Sequence, residues 1–347
     1  MPTIISPKEE LVNSKPVFSF PLKVVFFGTP EFADIIFKVL LQNPAYEMLA
    51  AVCSPDKPKG RGGKIAPPPV KETALENKIR ILQPQNLKDA GFILELKNLN
   101  ADIFLTAAFG KILPKEILEL PPLGALNVHP SLLPKYRGPS PIQTAIFNGD
   151  SKTGVSIILM TEKMDAGPVV LQKEIEIAPK ETSESLHSKL AKLAGQILPE
   201  AIELWKTGQD LENALDLKIA KAQNESEATY TKIIAKQDGL INWQKSADEI
   251  ERQIRAFFPW PGAFGKLNGK VFKILEAEME KKNSSLYKRE AGRDFVPGKI
   301  FLLNETVAVA CGQDHLIIKK IQPEGKNPLT DREFLNGYKD LLGLTFE

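Results

Sequence analysis

From Lys23 onward the chain repeats one step: an apolar β-favouring run, a turn, then a helix-length segment. That alternation restricts the fold to a largely parallel α/β sheet with helices on both faces. Lys23 to Phe27 is the first such run, and Met48 to Cys53, Arg80 to Leu82, Asp102 to Ala107, Gly124 to Val128 and Val155 to Met160 follow. Lys88 to Leu99 and Pro141 to Asn148 are helix-length segments between them. The turn Gly28-Thr29-Pro30-Glu31 reads as a helix start, with Thr29 expected as N-cap and Pro30 at the first helical position. Ser183 to Leu204 carries Leu186, Leu190, Leu193, Ile197 and Leu204 at helical spacing. It is expected to pack across the sheet's edge and to end the first domain.

Beyond this helix the pattern changes. Residues 206–228 lose periodicity and read as a linker, and Ser246 to Phe257 then looks helical. Leu267-Asn268-Gly269-Lys270 is a hairpin signal. With strands expected near Val271 to Leu275, Lys299 to Leu303, Thr306 to Ala310 and Leu316 to Ile321, the C-terminal part reads as a small barrel. A chain of 347 residues accommodates about two domains of ordinary size. The expected division is a disordered tail at 1–21, a catalytic domain at 22–205, the linker at 206–228 and a β domain at 229–347. The longest charge-free run, Leu120 to Pro134, holds four prolines and is too short for a membrane span. Residues 1–20 include Glu9 and Glu10, lack Arg and have no apolar core of secretory type, which argues against a signal peptide or presequence. Cys53 and Cys311 are too few for a disulfide framework, and a cytoplasmic location is expected.

Elimination narrows the chemistry. The first turn lacks the three-glycine fingerprint of a dinucleotide site, so no dinucleotide cofactor is expected. In Gly60-Arg61-Gly62-Gly63-Lys64 the glycine spacing of a nucleotide-binding loop is wrong, and Ile65 stands where a magnesium-binding hydroxyl is needed. His129, His187 and His315 are scattered, with neither a metalloprotease pair nor a serine-hydrolase elbow, and no metal site is expected. What remains is the segment Leu126 to Gly138. Asn127 and His129 lie two apart at the end of an expected strand, so the pleat turns both side chains to one side. Ligands bind at the carboxyl edge of such sheets. An Asn amide can donate to an oxyanion while a neutral imidazole takes up a proton, which together serve attack of an amine on a carbonyl carbon. Asp165, in Met164-Asp165-Ala166-Gly167-Pro168, falls after the strand Val155 to Met160 and is the candidate third group. Plainer readings stand beside these: Asn-x-His as a structural pair, Asp-Ala-Gly as an ordinary turn, and the basic loop holding Lys57, Lys59, Arg61 and Lys64 as solvated surface.

The sequence resembles the methionyl-tRNA formyltransferase family. The match rests on Phe27 to Ala33, Gly60 to Lys64, Asn127 to Gly138, Met164 to Pro168, Arg255-Ala256-Phe257-Phe258-Pro259-Trp260-Pro261, Gln322 to Lys326 and Phe334 to Gly337, and spans roughly residues 22–337. It implies a Rossmann-like catalytic domain followed by an OB-like β-barrel that holds tRNA. By this resemblance Asn127, His129 and Asp165 become the catalytic trio, and Ser131, Leu132, Leu133 and Pro134 line the pocket for 10-formyltetrahydrofolate. Phe109, Lys111, Ile112 and Leu113 align with the pterin-side wall, while Lys57, Lys59, Arg61 and Lys64 reach the tRNA acceptor stem. The implied partners are initiator methionyl-tRNA and the folate donor, with no membrane, and the implied state is a monomer. Tyr136 stands where many members have Trp, and Gly63 replaces a more usual basic residue.

Net charge is only +2, so RNA binding has to draw on local patches: the 57–64 loop and Lys281, Lys282, Lys288, Arg289 and Arg293. Three other functions use overlapping features. An amino sugar nucleotide or water could replace the tRNA amine as acceptor, and a catalytically inactive RNA-binding protein would leave Asn127 and His129 merely structural.

Overall fold

The computed structural model describes residues 21–59, 63–208, 211–280 and 296–347. The chain divides into two compact units, residues 1–127 and 128–347.

In the first unit, β1 (Leu22–Gly28) pairs in parallel with β2 (Tyr46–Val52) on one side and β6 (Ile103–Ala107) on the other. A short hairpin, β3 (Lys57–Lys59) with β4 (Lys64–Ala66), follows β2. The strand β5 (Arg80–Leu82) joins the outer side of β2, so the order runs β5-β2-β1-β6 and on to the start of β7 (Ala125–His129). Val24 to Phe27 have no exposed surface, the unbroken apolar run required of a parallel strand covered on both faces. Helix α1 (Glu31–Leu41) buries Phe32, Ala33, Ile36, Phe37 and Leu40, a stripe at three- and four-residue spacing. It meets β1 at Gly28, where a side chain would come within 2.6 Å of Ala33. The cap differs from the sequence expectation. Pro30 occupies the N-cap position and Thr29 lies before it, its hydroxyl accepting the Ser54 amide at 3.1 Å and so tying the end of β1 to the end of β2. The helix expected from Lys88 starts at Ala90, because the Asp89 carboxylate accepts the Phe92 amide at 2.9 Å and caps it.

In the second unit, the end of β7 is followed in the sheet by β8 (Lys152–Leu159) and the antiparallel edge strand β9 (Val169–Glu176). The long helix Ser183–Gly208 packs against β8 and β9, at that edge. The helices Pro141–Asn148 and Ala247–Phe257 lie against each other through Phe147 and Phe257, stacked with centroids 5.6 Å apart. The latter begins in a reciprocal cap between Ser246 and Glu249. It also covers an antiparallel sheet whose strands run Ala263–Leu267, Lys270–Glu280, His315–Pro323, Thr306–Ala310 and Ile300–Leu303 in spatial order. Asn268 and Gly269 turn its first hairpin, both at positive φ as a two-residue loop of this kind requires. Trp243, Ile250, Ile254, Phe272, Ile274, Val309, Leu316 and Phe334 fill its core.

The segment read as a linker is anchored. Leu211–Asp216 is a helix with Ala214 buried, Lys221 exchanges two backbone hydrogen bonds of 2.8 Å with Val169, and Gln223 and Glu225 bond to Arg137. Most of its side chains are exposed, and apart from Ala214 and Ala220 it buries little apolar surface, which is why it lacks an apolar period.

Candidate active site

Strand β7 ends the run of buried apolar residues and carries both candidate polar groups. Asn127 is half-buried and His129 only 4% exposed, and alternation along the strand turns the two to the same face of it. The His129 ring is oriented by the loop that follows. Its Nε2 lies 2.9 Å from the Tyr136 carbonyl oxygen, which can only accept, so Nε2 carries a proton and Nδ1 is the basic nitrogen. Nδ1 faces Asp165 Oδ2 at 3.6 Å, too long for a direct hydrogen bond and close enough for strong attraction once the ring is charged.

Asp165 reaches this position from a tight turn. Its φ is +51°, its carboxylate accepts the Gly138 amide at 2.8 Å, and its carbonyl accepts from the Gln223 side chain at 2.7 Å. Gly138 itself has φ +110°, and a side chain there would come within 2.9 Å of Thr231 Oγ1, so glycine permits the close approach. The turn is equally restricted at Gly167, where a Cβ would sit 1.7 Å from the Leu159 carbonyl oxygen.

The residues after His129 are held from beneath. Ser131 is fully buried and its hydroxyl donates to the Lys135 carbonyl at 2.7 Å. Ser156 on β8 donates to the Ser131 carbonyl at 2.7 Å, accepts the Leu133 amide at 3.1 Å and accepts from Gln172 at 2.7 Å. Leu133 is buried, while Leu132 and Pro134 are half-buried. Tyr136, at φ +63°, donates its hydroxyl to Asp150 at 2.7 Å, and burial raises its phenol above the ordinary value. Arg137, 1% exposed, pairs with Glu225, which holds the guanidinium above its usual value while the Glu225 carboxyl is drawn below its own.

In the first unit, Phe109 is buried edge-on against Phe27 with centroids 5.4 Å apart, and Leu113 is buried as well. Ile112 is 63% exposed, and Lys111 donates to the carbonyls of Pro84 and Gln85 at 3.0 and 3.2 Å. Lys57 is exposed on the β3–β4 hairpin, where Lys59 and Lys64 are partners in the backbone register. Arg61 lies outside the described residues, as do Lys281, Lys282, Lys288, Arg289, Arg293 and residues 1–20. Among the described residues no group of three or more His, Cys, Asp or Glu is placed to hold a metal ion, and no helix is long and apolar enough to cross a membrane.

Ser156, Gln172 and Gln223 escaped the sequence reading, and Arg137 entered it only as part of the Asn127 to Gly138 segment, with no role of its own. Ser156 left a trace as a lone hydroxyl inside the apolar run Val155 to Met160.

A basic imidazole nitrogen facing a carboxylate, with an amide on the histidine's own strand, is equipment for transferring an acyl-type group to an amine. Comparison with known proteins gives the class directly: residues 22–202 match the family described as Formyl transferase, and residues 233–339 match Formyl transferase, C-terminal domain. Methionyl-tRNA formyltransferase of Myxococcus xanthus is 41% identical over 318 residues, 91% of this chain and 95% of that protein. The protein of the same name from Caldanaerobacter subterraneus subsp. tengcongensis is 40% identical, covering 91% and 97%. The chain belongs to the methionyl-tRNA formyltransferase family. Solved structures share its fold: an N-formyltransferase from Helicobacter canadensis, in complex with folinic acid and dTDP-3-aminofucose, aligns with a TM-score of 0.59 at 19% identity over 86% of this chain and 98% of that one. HypX from Aquifex aeolicus in complex with tetrahydrofolic acid aligns at 0.58 and 15% identity over 93% of this chain and 48% of the other.

Proposed function

We propose that this chain transfers the formyl group of 10-formyltetrahydrofolate to the α-amine of methionine carried on initiator tRNA. The observation that carries the mechanism is the orientation of His129: with Nε2 committed to the Tyr136 carbonyl, the basic Nδ1 faces Asp165. In this reading Asn127 donates its amide to the formyl oxygen as that atom gains charge, while the new bond from nitrogen to carbon forms. His129 Nδ1 accepts the proton that the amine sheds and returns it to the departing folate nitrogen as the old carbon–nitrogen bond breaks. Asp165 stabilises the imidazolium between these two events. Ser131, Leu132, Leu133 and Pro134, together with Phe109, Lys111, Ile112 and Leu113, are the proposed folate contacts. Of these, Phe109 and Leu113 are buried and Ile112 is exposed, so a contact from this segment is proposed through its main chain and the Ile112 side chain.

The proposed division of labour places catalysis in residues 22–205, with 206–228 connecting it to an OB-like tRNA-binding part at 229–347. The extents of the two family matches support it. Lys57, Lys59, Arg61 and Lys64 are the proposed acceptor-stem contacts. The protein is proposed to act as a monomer in the cytoplasm, a reading consistent with two buried thiols that form no disulfide.

The test supplies pure protein with 10-formyltetrahydrofolate and one of three acceptors: methionyl initiator tRNA, a nucleotide-linked amino sugar, or water alone. Formylmethionyl-tRNA is the expected product, and preferential formylation of the sugar would overturn the acceptor assignment. Asn127→Asp puts an acceptor where a donor is required and is expected to lower kcat by about 100- to 1000-fold, with folate affinity changed far less. Near-normal turnover of the folded variant would exclude the oxyanion role.

A further inference from the structure

The Asp165 turn is held by side chains of the polar segment 221–231 and by Arg137. Gln223 spends its entire side-chain amide on this task. Its Nε2 donates to the carbonyls of Asp165 and Gly167, each at 2.7 Å, and its Oε1 accepts from Arg137 Nε at 3.1 Å and Nη2 at 2.9 Å. Arg137 has five N–H donors, and the remaining three go to Glu225, at 3.0 and 2.8 Å, and to the Tyr230 hydroxyl at 3.1 Å. The Arg137 main chain is bonded on both sides as well, its amide to the Thr229 carbonyl at 2.9 Å and its carbonyl to the Thr231 amide at 2.8 Å. Because an arginine can only donate, it admits one orientation of the Gln223 amide, oxygen inward and nitrogen toward the turn. Two carbonyls two residues apart are thereby fixed by one planar group, and with them the direction in which Asp165 projects toward His129.

We infer that Gln223 is a positioning residue for formyl transfer: oriented by Arg137, its amide sets the Asp165 carboxylate against His129. The inference rests on the role given to Asp165 above. It moves the boundary of the machinery, since a segment with the polarity of a linker supplies a part on which the chemistry depends.

Gln223→Glu separates positioning from mere support. The carboxylate keeps both contacts to Arg137 but cannot donate, so it turns an oxygen toward two carbonyl oxygens. Gln223→Leu removes both sets of contacts. Each variant is expected to lower kcat about 10- to 100-fold, the scale of a displaced catalytic group, with the KM for 10-formyltetrahydrofolate within about threefold of the parent. The deciding measurement is a double-mutant cycle with Asp165→Ala. If Gln223 works through Asp165, Gln223→Glu costs less than about twofold in single-turnover rate once Asp165 is gone. Equal fractional losses in both backgrounds, or parental turnover in folded Gln223→Glu, would overturn the inference. Parental turnover in Asp165→Ala would instead strike the reading of the site itself.

Discussion

Ser156→Ala removes a single oxygen that three partners share. In the parent that hydroxyl donates to the Ser131 carbonyl at 2.7 Å and accepts from the Leu133 amide at 3.1 Å and the Gln172 side chain at 2.7 Å. Gln172 keeps its other contact, to the Leu133 carbonyl at 3.1 Å, whereas the Leu133 amide and the Ser131 carbonyl lose the partner that Ser156 gave them. Ser131 and Ser156 are wholly buried and Leu133 is 5% exposed, so water does not replace the lost oxygen without opening the strand. Orphaning a buried polar group costs about 1–3 kcal/mol, and two of them give about 2–4 kcal/mol after modest relaxation. The assay is built into the sequence, because Trp205, Trp243 and Trp260 are the chain's three tryptophans and all fall in the second unit, with Ser156. Urea unfolding followed by tryptophan fluorescence is expected to show a lower midpoint at unchanged slope. Folate affinity should fall with it, since residues 131–134 are the proposed pocket lining. A loss of stability below about 0.5 kcal/mol would refute the account of Ser156 as the support of that segment.

Burial pushes the Cys53 thiol up to about 11 and the Cys311 thiol up to about 12. A thiol reagent at neutral pH should therefore find neither reactive until the protein unfolds, and rapid modification of both in the folded state would contradict it. The same shifts fix the alkaline behaviour. The folded thiols hold protons that unfolded ones release near 9.0, so stability is lost as pH rises from about 9 through 12, which alkaline urea titrations will read. Replacing Lys59, Arg61 and Lys64 together with Ala is expected to weaken tRNA binding and make its salt dependence shallower by about 2 units of slope, at unchanged folate affinity. A parental slope would return the loop to solvated surface.

Most of the fold was legible because burial leaves a periodic record. Pro141–Asn148, Arg80–Leu82 and Thr306–Ala310 fall where apolar spacing places them, and the Asn268-Gly269 hairpin follows from turn chemistry alone. Strand β9 was missed for the same physical reason. An edge strand with the burial pattern of Val169–Glu176 is half solvated, and its Gln172, Lys173, Glu174 and Glu176 imitate a loop. At Thr29 a local rule failed for a different cause: the residue before a proline is pushed into extended conformation, and its hydroxyl found Ser54 across the strand ends instead.

The candidate site divides along the same line. His129 and Asn127 were legible because strand alternation and the carboxyl-edge rule both act on short stretches of sequence. That Asp165 would approach His129 needed more, since 36 residues separate the two and the approach depends on a turn held by Gln223, a further 58 residues on. Periodicity detects segments that bury apolar surface, and residues 221–231 bury little. They are fixed instead by directional bonds to carbonyls and to one enclosed guanidinium, and such bonds leave no repeat in the sequence. A segment of this kind resembles a linker in composition while being tied down through its donors and acceptors. The constraint falls on donors and acceptors rather than on volume. In this stretch the damaging substitutions are therefore those that exchange a donor for an acceptor at constant size, and Gln223→Glu is the smallest of them.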